Sequence, residues 1–359
     1  HKALSGFIHD IKILSEYDGY VHTNFSLHGT STGRLSSSNI NCFDGETEIL
    51  TPGGWVRFDQ LADGVQVAQW TPEGVVEFVD PSAVIRKPHT GRLVKIHNDH
   101  INLMVTEDHR CLLRTDKGKL RVVTAAEYPG GAQQLHAGRF YGGPGLPLTD
   151  DELILLAATQ ADGSWTHRQI DFGFRKERKI RRLLETLERM NTPFKVTASE
   201  KRTRIIVQDW ALVDKLKSFL GAEKVWGAWL LEMSRRQLDL ICDEVFFWDG
   251  CFTRMSHYSS SDKVNADWIQ VLLSLSGVRA RIREYDNKLP NARLNYQVDV
   301  TRRDYSWTTN VQKSFVDFDG MVYCVSVPSS YVMVRRGGEV MVTGQCQNIP
   351  SFLAGFNIK

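Results

Sequence analysis

Residues 340–356 read VMVTGQCQNIPSFLAGF. A strand-like apolar run ends at Thr343, and after Gly344 and Gln345 a polar segment of different character begins at Cys346. Residues 31–50 read STGRLSSSNINCFDGETEIL, and there too the texture changes at a cysteine, Cys42. Written with Asn41 directly before Cys346, the outer pieces give STGRLSSSNINCQNIPSF. The 304 residues from Cys42 to Gln345 then read as an insert.

The chain has 359 residues, 42% of them hydrophobic and 24% charged, enough to bury a large core in more than one domain. No run of about 18 apolar residues could span a bilayer. The opening HKALSGFIHDIK lacks the charged-then-apolar order of a secretory signal. Both features lead to the expectation of an intracellular protein with no membrane partner. Six cysteines, at 42, 111, 242, 251, 324 and 346, are scattered without a CxxC pair, as expected of free thiols in a reducing compartment. The net charge is only +2, but between Thr166 and Leu240 Lys and Arg outnumber Asp and Glu by seven. That excess suits either a solvated helical face or phosphate contacts.

From Cys42 to about Val123, short β-prone runs (TEIL, GWVRF, VQVAQW, GVVEFV, RLVKIH, INLMVT) alternate with turn residues. From about Leu153, DELILLAATQ, ERKIRRLLETLERM, DWALVDKLKSFL and NADWIQVLLSLSG carry helical apolar spacing, interleaved with strand-like RTRIIVQD and NYQVDVT. After about Val311 the strands return with MVYCVSV, YVMVRRG and EVMVT, so an α+β unit is set inside a split all-β unit.

The insert carries one thiol at its first residue and is followed at once by another. A thiol that attacks the carbonyl just before it converts an amide to a thioester, and a second thiol can accept that acyl group without ATP. The shift is unfavourable for an ordinary amide, so a group must protonate the leaving nitrogen while the carbonyl is held. His109, in VTEDHRCL, is the candidate.

These features together resemble an intein, a self-splicing insert of the hedgehog/intein (Hint) fold, over Cys42 to Gln345. CFDGETEIL is similar to the opening motif and VTEDHR to the Thr-x-x-His motif. MVYCVSVPSSYVMVRRGGEVMVTGQ is similar to the closing pair of strands. The resemblance implies Cys42 as first nucleophile, Thr106 and His109 beside the first scissile bond, Gln345 as the cyclising residue and Cys346 as second nucleophile. The chain departs from the pattern at three places. The insert ends in Gly344-Gln345 where His-Asn is usual, Tyr331 stands where a His is common, and Cys324 stands where an Asp is common. Cys324 is therefore either a donor or base coupling the first two steps or a buried strand cysteine. Other donors for the last cleavage are His97 or Arg335. The rejoined outer text resembles the TGRLSS…QNIP stretch of family A DNA polymerases, with Arg34 and Gln347 expected near DNA.

LLAATQADGSW resembles the LAGLIDADG motif of homing endonucleases, and CDEVFFWDGCF a weaker second copy, with Trp248 where a small residue normally permits close helix packing. The resemblance implies paired helices bringing Asp162 and Asp249 together to share Mg2+, with double-stranded DNA as partner and target. Lys263 is a candidate for the assisting basic residue. Splicing itself would need no cofactor.

The expected organisation is an N-terminal flank at 1–41, a split all-β Hint horseshoe at 42–143 and 313–345, a LAGLIDADG α+β unit at 144–312 and a C-terminal flank at 346–359. The protein is expected to be a monomer in the cytosol of a bacterium or phage-infected cell. Two alternatives stay open: a hedgehog-like domain that cleaves without ligation, and a polymerase fragment with a structural insertion.

Overall fold

A computed structural model describes residues 41–166, 168–251, 256–286 and 294–345, and the short pairing of Phe25–Ser26 with Ser36–Ser37. Cys346, Arg34, Gln347 and the rest of the polymerase-like text lie outside the residues whose side chains are described.

The first half of the β unit is built as the alternation predicts, from strands Glu48–Thr51, Gly54–Arg57, Val67–Trp70, Val76–Val79, Ala83–Asn98 and Ile101–Thr106. One of them is much longer than the RLVKIH run. Ala83–Asn98 pairs along its whole length with Gln312–Ser326, from Gln312 against His97 to Ser326 against Ala83. Pro88 and Gly91 read as interruptions in the sequence, yet both sit inside this ribbon. Ile101–Thr106 covers only Leu93–Asn98, so Pro88 lies where the ribbon has an open side and its missing N–H costs no ladder bond.

The α+β unit contains a repeat of topology that the sequence only hinted at. Helix Asp150–Asp162 is followed by strands Gly163–Thr166 and Gln169–Phe174, helix Glu177–Arg189, strands Phe194–Ala198 and Thr203–Val207, and helix Trp210–Leu220. Helix Arg235–Asp249 is followed by strands Gly250–Cys251 and His257–Ser260, helix Lys263–Leu275, and strands Arg279–Tyr285 and Asn295–Thr301. In both halves the fourth strand lies between the second and third. Helices 150–162 and 235–249 pack on each other, and each opens with a reciprocal capping box, Thr149 with Glu152 and Ser234 with Gln237. Each ends at an aspartate followed by glycine for a steric reason. A Cβ at Gly163 would lie 2.8 Å from Thr159 Cα, and one at Gly250 would lie 2.5 Å from the Phe246 carbonyl oxygen.

Trp248 does not hold these helices apart. Its buried indole turns away to stack on Phe174 at 5.8 Å, while Nε1 donates to Glu244 at 3.0 Å. Burying a large aromatic side chain stabilises by roughly 1.5–3 kcal/mol, so the bulk contributes to the interface between the halves.

The two units are joined through one sheet. Arg281 of strand 279–285 pairs with Glu339 of strand Glu339–Gly344, which pairs in turn with Tyr331–Arg336 and so with Glu48–Thr51. Buried Arg335 binds Glu48 at 2.5 Å and also reaches Asp267 and Gln270 on helix 263–275. Strand Tyr305–Trp307, which precedes the expected boundary at 312, pairs with Gln133–Leu135 of the β unit.

Candidate functional site

The two ends of the insert meet. Cys42 and Phe43 enter the core between two strands, with Phe43 bridged to Val105 and Tyr323. The Cys42 amide nitrogen donates to Thr106 Oγ1 at 3.1 Å, and the Thr106 amide donates back to the Cys42 carbonyl at 3.0 Å. Asn41 Nδ2 donates to the carbonyl oxygen of Gln345 at 2.9 Å, and Asn41 Oδ1 accepts from the Arg110 amide at 3.2 Å. The Gln345 side chain is buried, with Nε2 donating to the Val327 carbonyl at 3.0 Å.

His109 is fully buried, its ring edge-on to Phe43 at 4.6 Å. Burial, with a smaller contribution from the Arg110 charge, pushes its pKa down to about 3, so at neutral pH the imidazole is neutral. Nε2 lies 2.9 Å from Thr343 Oγ1, whose hydroxyl donates to the Arg110 carbonyl at 3.4 Å. That direction assigns the proton to Nε2 and leaves Nδ1, which is buried and has no hydrogen-bond partner among the described residues, as a bare acceptor. A neutral His109 must take a proton before it can give one.

Phe43 and Tyr323 exchange hydrogen bonds of 2.8 and 2.9 Å. Continuing that antiparallel register by one residue sets Cys324 opposite Cys42, at a position without ladder bonds where side chains approach closely. Cys324 Sγ donates to the Val325 carbonyl at 3.4 Å. Tyr331 pairs with Gly344 across the closing hairpin. The alternative donors lie elsewhere, because Arg335 is held by Glu48 and Asp267. His97 lines a cavity of about 760 Å³ with His100, Arg279, Arg303 and Trp307, which contains neither junction residues nor the paired aspartates.

In the α+β unit, Asp162 and Asp249 end their helices side by side, with 30% and 29% of their side chains open to solvent. The ammonium of Lys179 lies between them, touching Asp162 Oδ2 and 4.0 Å from Asp249 Oδ1. Burial, and next the Asp162 charge, raise the Asp249 pKa to about 6 against the pull of nearby lysines. Lys224 Nζ donates to the Gly163 carbonyl at 2.6 Å, and burial lowers its pKa although both aspartates oppose this. Lys263, the expected assisting residue, pairs instead with Asp267 at 2.8 Å, one turn along its own helix. Asn265 holds the position in helix 263–275 that Lys179 holds in helix 177–189, and it accepts from the Trp226 amide at 2.8 Å.

Among the described residues no third acidic, His or Cys side chain joins the pair as a metal cluster. The donor set nevertheless suits Mg2+: two carboxylates reached by solvent already hold a cation, the Lys179 ammonium. Water and phosphate oxygens would complete the coordination.

Arg110, Thr343, Lys179 and Lys224 escaped the sequence reading, as did the side-chain contact of Asn41. Lys179 had a signal, since Lys179, Leu183, Thr186 and Leu187 form the buried stripe of an amphipathic helix where a cation is out of place.

No family model matches the chain. The ribonucleoside-diphosphate reductase subunit beta of Aquifex aeolicus (strain VF5) is 26% identical over 351 residues, covering 85% of this chain and 50% of that protein. The chain thus spans about half the length of the curated relative it matches. Among solved structures, a splice-inactive variant of the AceL NrdHF class 3 split intein aligns over 86% of this chain and 99% of its own. Its TM-score is 0.35 and its identity 8%. The endonuclease I-DmoI in complex with DNA and Ca aligns over 42% of this chain and 83% of its own, with a TM-score of 0.34 and 13% identity. The N-terminal LAGLIDADG domain of DUF199/WhiA aligns over 43% and 78%, with a TM-score of 0.30 and 14% identity. At scores of this size the superpositions carry no weight for the fold, which is read from strand order and register.

Proposed function

We propose that residues 42–345 excise themselves and join Asn41 to Cys346, and that the central unit is a metal-dependent DNA endonuclease. The observation that carries the first part is the hydrogen bond from Asn41 to the Gln345 carbonyl, because it sets both junctions in one site. A domain that only cleaved at its N-terminal side would have no use for that contact.

The chemistry follows from the groups present. Cys42 Sγ attacks the Asn41 carbonyl carbon, the C–S bond forms, and the bond to the Cys42 nitrogen breaks. His109, bare at Nδ1, takes the thiol proton and returns it to the departing nitrogen, which Thr106 Oγ1 holds in place. The Cys346 thiol then displaces Cys42 from the thioester, giving a branched chain. Gln345 Nε2 leaves the Val327 carbonyl and attacks its own backbone carbonyl carbon. A glutarimide forms as the bond to Cys346 breaks, and the freed amine of Cys346 recaptures the acyl group from sulfur. Cys324, opposite Cys42, is positioned to pass a proton between the first two steps.

Support for the endonuclease is the doubled topology with its paired aspartates. Arg279, Arg281 and Arg283 align on one strand and Arg204 and Lys195 lie on the other sheet, with Arg281, Arg283 and Arg204 paired to Glu339, Asp299 and Asp171. Such basic residues suit phosphate contacts. Asp162 and Asp249 would hold Mg2+, which when bound supplies charge to activate water and stabilise the leaving oxygen. Lys179 and Lys224 keep the two carboxylates together until then. The DNA target would be the uninterrupted coding sequence across Asn41 and Cys346.

A polymerase host rests on the flanking text alone. The reductase-named relative, which matches 85% of this chain, lends that host no support. Two cysteine variants test self-excision. With Cys42→Ala neither thioester nor ligated product forms, whereas Cys346→Ala still permits thiol-induced release of the N-terminal flank. Ligated product from Cys42→Ala would rule the mechanism out.

A further inference from the structure

We propose that Arg110 is the positioning cation of the C-terminal junction. The proposal deepens the self-excision reading and rests on it.

Gly344 lies against the backbone and Cβ of residue 110, which leaves no room for a side chain at 344 and brings the base of the Arg110 side chain to the junction. A Cβ at residue 344 would lie 2.3 Å from the Arg110 carbonyl oxygen and 2.8 Å from Arg110 Cβ, closer than any side chain tolerates. The Arg110 amide donates to Asn41 Oδ1, and Asn41 Nδ2 donates to the Gln345 carbonyl, so two hydrogen bonds link Arg110 to the scissile carbonyl. Tyr331, opposite Gly344, is near enough to influence the guanidinium charge.

Arg110 is half-buried, and part of its guanidinium is unused. Nε and Nη1 are buried with no hydrogen-bond partner among the described residues, and Arg110 enters none of the ion pairs found there. An arginine kept only for packing would extend its stem over apolar surface and carry its head to water. Leaving buried donors unmade is costly, more so on a charged group. Gln345 Oε1 is likewise buried and unpartnered among the described residues.

Cyclisation gives these two groups a use. As Nε2 bonds to the Gln345 carbonyl carbon and loses a proton to solvent, negative charge develops on the backbone carbonyl oxygen and on Oε1. The C–N bond to residue 346 breaks and its amine gains a proton. Asn41 Nδ2 already serves the carbonyl oxygen. The Arg110 charge lowers the cost of the rest, and because a guanidinium does not give up its proton, its role is charge and position.

The test uses the chain with lengthened flanks and follows both junctions. Arg110→Ala keeps the backbone contact to Asn41. Release at 345–346 should slow about tenfold or more, the branched chain should accumulate, and thiol-induced cleavage at 41–42 should keep its rate. Arg110→Lys should recover part of the loss. Arg110→Gln, which keeps the length of the side chain and removes its charge, should show the same selective defect if Arg110→Ala fails to fold. Wild-type release by Arg110→Ala, or parallel slowing of both junctions with a lowered melting temperature, overturns the proposal. If wild type yields neither thiol cleavage nor a branched chain, the self-excision reading itself fails, which is a distinct result.

Discussion

Asn41 and Gln345, 304 residues apart, are joined by a 2.9 Å hydrogen bond from the Asn41 side-chain amide to the Gln345 carbonyl. The last residue before the proposed first junction thereby contacts the carbonyl at which the second cleavage is proposed. A neutral amide held there acts as a donor for charge developing on that oxygen.

Replacing Asn41 with alanine should therefore slow C-terminal release by about tenfold, the loss of one net hydrogen bond that strengthens in the transition state. Time courses on denaturing gels measure it. An unchanged rate would show that the contact serves packing alone.

Acid should destabilise the fold through its buried histidines. His109 and His136 both have folded-state pKa values pushed by burial from 6.5 to about 3. Their neutral forms contribute stability that is fully present above pH 6.5 and lost as pH falls towards 3, because the unfolded chain gains protons first. Each contributes about 1.4 kcal/mol per pH unit in that window. Urea midpoints at pH 7 and pH 5 give the slope, and a flat profile would mean these rings are charged or solvated.

Much of this architecture was legible because its strands and helices alternate apolar residues at their own periods. The long ribbon was not, since Pro88, Gly91 and Gly320 break the pattern in a two-stranded stretch with no core to enforce it. The junction partners share a different obstacle. Arg110 follows the motif histidine as an unremarked basic residue, and its meaning appears only when Gly344 is seen pressed against it. Lys179 was hidden in the charge run KERKIRR, and Lys263 attracted attention although its partner lies one turn away.

Mg2+ binding at the aspartate pair should weaken below pH about 6, where Asp249 takes up a proton and ceases to be a ligand. Asp162→Asn should abolish metal-dependent cleavage of the rejoined coding duplex. Because Arg335 and the shared sheet join the units, folding of this variant is checked alongside. Cleavage by a folded Asp162→Asn protein would remove the pair from the reaction.

Trp248→Ala should cost about 3–5 kcal/mol, since the indole is buried against Phe174 and leaves a cavity between the halves. A urea midpoint shift corresponding to less than 1 kcal/mol would mean the halves do not depend on this contact.

On the self-excision proposal Gln345 should set the pace of the last cleavage, because a glutarimide freezes one more rotor than a succinimide, at roughly 0.5–1 kcal/mol. Gln345→Asn should raise release a few-fold, and Gln345→Ala should stop at the branched chain. Release from Gln345→Ala at the wild-type rate would exclude side-chain cyclisation.

Intact mass spectrometry of the chain expressed between longer flanks tests the central claim most directly. Self-excision predicts two new masses, the freed 304-residue insert and the flanks joined from Asn41 to Cys346. A single unchanged mass, or cleavage at the first junction without any joined product, would contradict it.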